Sequence, residues 1–105
     1  MDWYCGKRGY AFVSGVQVTS KYSGAYCVSK NEFDRVKKVT INYFTNASTG
    51  AGDITVAVGK MYAKQTVTKT GGKTPRSITF EFNKASGAIQ VLVECTTNSI
   101  YIQDI

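Results

Sequence analysis

Histidine is absent from the 105 residues, and with it go the commonest general base, the partner of a serine nucleophile and the commonest metal ligand. The carboxylates are Asp2, Glu32, Asp34, Asp53, Glu81, Glu94 and Asp104. Glycoside hydrolysis requires two of them flanking one cleft. Only Glu32 and Asp34 stand close together in sequence, in a segment read as a loop, where a charged turn or a cation ligand set is the competing reading. Cys5, Cys27 and Cys95 have no histidine to activate them as nucleophiles, and their spacing matches no zinc or redox motif. No enzymatic activity, catalytic residue, metal ligand or cofactor is therefore expected.

The side chains left with binding chemistry are aromatic. Trp3, Tyr4, Tyr10, Tyr22, Tyr26, Phe44, Tyr62 and Tyr101 fall in turns or off the inward-facing series set out below. Exposed rings stack on sugar faces and on bases, and equally they cover neighbouring sheets and loops. The N-terminal Trp3 and Tyr4, with Tyr22 and Tyr62 read as turn residues, are the candidate ligand-binding residues. Tyr101 alternates with Ile100 and Ile102 in the closing segment and reads as a residue covering the sheet.

Three cysteines allow at most one bridge. Cys95 continues the series Ile89, Val91, Val93 and behaves as a small core hydrophobe. Cys5 can pair with Cys27 only if the N-terminal segment lies beside the strand that carries Cys27. The dense disulfide framework of a small secreted scaffold is excluded.

The elements that must position these residues follow from period-two alternation. Four segments carry it clearly. Val36 to Thr45 sets Val39, Ile41 and Tyr43 on one face, and Asp53 to Lys60 sets Ile54, Val56 and Val58. Arg76 to Asn83 sets Ile78, Phe80 and Phe82, and Ala88 to Cys95 sets Ile89, Val91, Val93 and Cys95. Weaker strands are read at Gly9 to Ser14, Val16 to Ser20, Gly24 to Ser29 and Ala63 to Thr68, with a last one from Asn98 onward.

Turn-forming groups separate them at Ser14-Gly15, Tyr22 to Gly24, Asn46 to Gly52, Gly71 to Lys73 and Asn83 to Gly87. Only Asn31 to Lys38 suits a helix, of about two turns capped by Asn31. The segment "TNASTGAGD", Thr45 to Asp53, reads as a wide hairpin whose small residues permit close approach. It is not a phosphate loop, because no Gly-Lys-Ser/Thr follows and no helix begins there. Asn46-Ala47-Ser48 is formally a glycosylation acceptor. Seven to nine short strands joined by Gly-rich turns predict an antiparallel β-sandwich or barrel, with residues 1–105 as a single domain.

The net charge of +6, from 13 basic and 7 acidic residues, is compatible with nucleic acid or acidic glycans only where the basic groups converge on one face. The clusters Lys7-Arg8 and Arg35-Val36-Lys37-Lys38 otherwise read as solvated surface. Nucleic acid is not the expected partner. No run of about 18 apolar residues exists to span a membrane, and Cys5-Gly6-Lys7-Arg8 stands where a secretory signal would need an apolar stretch. The ligand and the oligomeric state are left open.

"VKKVTINYFTNASTGAGDITVAVG" followed by "GGKTPRSITFEFNKASGAIQVLVECTTNSIYIQDI" resembles the jelly-roll β-sandwich accessory modules of gut Bacteroidota surface proteins and of the phages that infect them. The likeness is carried by the Val-Lys-Lys-Val strand, the Thr-Asn and Gly-Ala-Gly loop, the Ser-Gly-X-Ile strand and the closing Asn-Ser-Ile-Tyr-Ile segment. It covers residues 24–105. The resemblance implies a jelly-roll sandwich and a carbohydrate-binding or adhesion module, extracellular or at a cell surface as part of a larger protein. The alternative it carries is a structural module of a phage particle or surface assembly acting through protein contacts, with the virion as its location. It transfers no binding residue to a position of this chain.

Overall fold

A computed structural model of the chain describes residues 3–6, 17–19, 24–45, 51–67, 76–97 and 99–105. The described residues form seven strands and no helix: β1 Trp3–Gly6, β2 Gln17–Thr19, β3 Ala25–Thr45, β4 Ala51–Val58, β5 Met61–Val67, β6 Arg76–Thr97 and β7 Ser99–Asp104. All pairings are antiparallel, in the order β2-β7-β3-β6-β4-β5 with β1 on β3. The all-β class follows directly from the alternation of Ile, Val, Phe and Thr. The strand read at Gly9 to Ser14, the turns read at Ser14-Gly15 and Gly71 to Lys73, and the glycosylation triplet lie outside the described residues.

Two strands dominate. β3 and β6 pair with each other from Ala25↔Val93 to Tyr43↔Arg76, through three irregularities of register between Val28 and Lys38. The first half of β3 has β1 on its other side, and the second half has β7. The second half of β6 has β4 on its other side, and β5 lies beyond β4. Buried side chains from both halves belong to one hydrophobic cluster, including Cys27, Ile41, Ile54, Val56, Phe80, Val91 and Ile100. The sheet thus bends through the irregular segment and closes on its own apolar face. Where the bent sheet meets itself, the Gln65 amide of β5 donates to the Thr79 carbonyl of β6 at 2.6 Å.

The inward series emerges as read: Val39, Ile41, Tyr43, Ile54, Val56, Val58, Phe80, Phe82, Ile89, Val91, Val93 and Cys95 are buried, and Ile78 is half-buried against them. Burial pushes the Cys95 thiol above its ordinary range, against a smaller lowering from a hydrogen bond with the Ile100 backbone.

Three expectations are corrected here. Asn31 to Lys38 is not helical but part of β3, Asn83 to Gly87 is not a turn but part of β6, and Glu32 and Asp34 stand on a strand rather than a loop. The two segments face each other, and the cross-strand ladder keeps both extended. Their turn-like composition is used for bulges instead. Arg35 and Lys84 adopt the left-handed conformation, with φ of 52° and 53°. The backbone groups displaced from the ladder find serine hydroxyls. Ile89 N–H donates to Ser29 Oγ at 2.9 Å, and Ser29 Oγ donates to the Asn31 carbonyl at 2.7 Å. Across the bend the relation is reversed: Arg35 N–H of β3 donates to Ser86 Oγ of β6, which donates to Asp34 Oδ1 at 2.7 Å.

Candidate functional site

The register brings residues from five strands into one row on the solvent side of the sheet. Tyr62 of β5 faces Ala57 of β4, and Ala57 faces Gln90 of β6. Gln90 faces Val28 of β3, which faces Tyr4 of β1. The tyrosines end the row, four strand spacings of ~4.8 Å apart, or about 19 Å. Both are well exposed, Tyr4 at 64% and Tyr62 at 76%. A second row runs beside it two residues along: Lys64, Thr55, Leu92, Tyr26, Gly6. Between the tyrosines the floor is half-buried Ala57, Val28, Thr55, Leu92 and Tyr26, with the Gln90 amide exposed near its centre.

Local structure fixes each end. At the Tyr62 end, Gly59 and Lys60 make a two-residue turn between Val58 and Met61, and Gly59 takes a φ of 59° that favours glycine there. Gly59 N–H donates to the Ala88 carbonyl at 3.1 Å, so the hairpin tip is tied to β6. At the Tyr4 end, Lys30 Nζ lies 4.8 Å from the Tyr4 ring centroid, a cation over an aromatic face. Along the far margin Asp53 accepts from Thr66 Oγ at 2.9 Å and pairs with Lys64 at 3.7 Å.

The described charges on this face nearly balance. Lys30 and Lys64 stand with Asp53 and Glu94, and Lys60 adds a cation in the turn beside Tyr62. The solvent side of the other half of the sheet differs in kind. There Thr40 and Thr79 share a hydroxyl hydrogen bond at 3.3 Å, and Ser77 donates to Asn42 Oδ1, so the polar groups satisfy one another.

Of the four candidate residues, Tyr4 and Tyr62 are placed on one row. Tyr62 lies on β5 just past the turn rather than in it. Trp3 lies in β1, paired with Ser29, and Tyr22 is outside the described residues. The residues that join the tyrosines, Val28, Ala57 and Gln90, carry no signal in the sequence beyond their place on the outward side of an alternating strand. Lys30 carried none either. Comparison of the chain with known protein families, characterised proteins and solved structures gives no match.

Proposed function

We propose that this domain is a non-catalytic binding module whose ligand is a glycan chain lying across the strands from Tyr62 to Tyr4. The observation that carries the reading is the row itself: two exposed rings at the ends of a half-apolar floor with an amide in the middle. Tyrosine rings stack on the apolar faces of sugars, and hydroxyl-bearing ligands take hydrogen bonds from Gln90, Thr55 and Lys64. The near balance of charge among the described residues of the face favours a neutral polymer over nucleic acid or a polyanion, whose affinity rests on many cationic contacts.

Neighbouring strands are rotated by about 20–25° each, so the row turns through about a right angle between its ends. A rigid flat surface then meets one tyrosine at a time, whereas a single flexible chain follows both. The continuous bent β3–β6 ladder supports a jelly-roll sandwich as the finer fold description. The disulfide at Cys27 accords with an extracellular, cell-surface or virion location, where such bonds persist. Among the described residues no helix is long and apolar enough to cross a membrane.

The test is titration of neutral oligosaccharides of increasing length against the intact domain, monitored by tyrosine fluorescence and NMR. Affinity is expected to rise with chain length until both Tyr4 and Tyr62 respond together. The reading fails if no soluble glycan perturbs either ring. The protein-contact alternative predicts instead that Tyr62→Ser abolishes self-association measured by sedimentation, with no response to sugars.

A further inference from the structure

Cys27 is fully buried and disulfide-bonded, and Cys95 is a buried thiol. The chain has three cysteines. A bond from Cys27 to another molecule is closed off by its burial. The register sets Cys5 of β1 directly opposite Cys27 of β3. Directly opposed residues of antiparallel strands have Cα atoms about 4.5–5.5 Å apart, inside the roughly 4.4–6.8 Å span that a disulfide bridges.

We propose that Cys5 and Cys27 form a cross-strand disulfide, and that this bond is the latch that keeps β1, and so Tyr4, at its end of the five-strand row. β1 is four residues long and, among the described residues, pairs with β3 alone. Tyr4 remains mostly exposed, and its Lys30 contact is an exposed cation–π pair. Neither holds the strand strongly. The core strands β3, β6 and β4 pair with one another independently of β1.

Closing the bond removes two protons and two electrons from the thiols, taken up by a disulfide oxidant such as glutathione disulfide through thiol exchange. A dithiol reductant returns them and is itself oxidised to a cyclic disulfide. Attack at the buried Cys27 sulfur requires β1 to open locally, so reduction by that route follows fraying of the edge. The row is complete in the oxidised protein and lacks its Tyr4 end in the reduced one, whatever the platform binds.

The test uses the whole chain. Alkylation in denaturant followed by proteolysis and non-reducing mass spectrometry is expected to give a Cys5–Cys27 linked peptide, with Cys95 alone alkylated. Alkylated Cys5, or a link from Cys27 to Cys95, overturns the pairing. For the latch, amide NMR spectra are recorded before and after dithiothreitol and compared with Cys5→Ser. Reduction and the variant are expected to move the same resonances, those of β1, of Tyr26 to Ser29 and of Lys30, whose side chain loses the ring-current shift from Tyr4. Resonances of β4 and of β6 beyond Val91 hold still. An unshifted Lys30 after reduction, or collapse of the whole spectrum, overturns the latch.

Discussion

Gly59 and Gly87 meet backbone to backbone: a Cβ built on Gly87 would lie 2.6 Å from the Gly59 Cα, and Gly87 holds a φ of 137°. The contact seats the β4–β5 turn against β6 and thereby sets the height of Tyr62 above the sheet. Gly87→Ala meets both a closed space and an unfavourable backbone conformation. Urea unfolding should show a loss of more than about 2 kcal/mol, and the Tyr62 resonance should shift with it.

Ser29 accepts the Ile89 N–H inside the irregular part of the ladder and is itself buried. In Ser29→Ala that donor has no acceptor and little water. The expected cost is about 1–3 kcal/mol, read from the denaturation midpoint at constant slope.

Lys84 sits in the left-handed region with an exposed side chain. Lys84→Gly removes that strain and should leave stability unchanged or raise it by up to about 1 kcal/mol, whereas Lys84→Val should lower it by more than 1 kcal/mol, about the cost of a left-handed β-branched residue. Paired thermal melts of the two variants check the sign.

Cys95 has its thiol pKa raised by burial. The protonated form is the one the fold favours, so this contribution is fully present below the unfolded thiol's pKa and is lost as pH rises through the higher folded value. Iodoacetamide should leave Cys95 unlabelled in the native protein at pH 8 and label it rapidly in denaturant, and stability should decline above about pH 9, near the unfolded thiol's pKa.

Much of the fold is legible in the sequence because it is written locally. Ile54, Val56 and Val58 alternate against Thr55 and Ala57, and each is buried where alternation puts it. Cys95 is read as core for the same reason. The bend is not legible. Asn31, Asp34 and Arg35 have turn and cap chemistry, as do Asn83, Lys84 and Gly87, and only partners some 50 residues away keep them in strands. The row from Tyr62 to Tyr4 is hidden for a related reason. Tyr4 and Tyr62 are 58 positions apart, and their alignment depends on four successive registers that no local pattern encodes. What the sequence offers is a position off the inward series, and the Tyr4 and Tyr62 rings are exposed.

The Gln65 amide on the Thr79 carbonyl has a consequence for neighbouring molecules. Over Arg76 to Glu81, β6 pairs on one side only among the described residues, and a bare strand edge is a template for adding strands from other copies. Gln65 occupies an acceptor in the middle of that edge. The seam that closes the sheet on itself therefore also guards it against growth into fibrils, and concentrated solutions of the domain should stay free of dye-binding aggregates until Gln65 is lost.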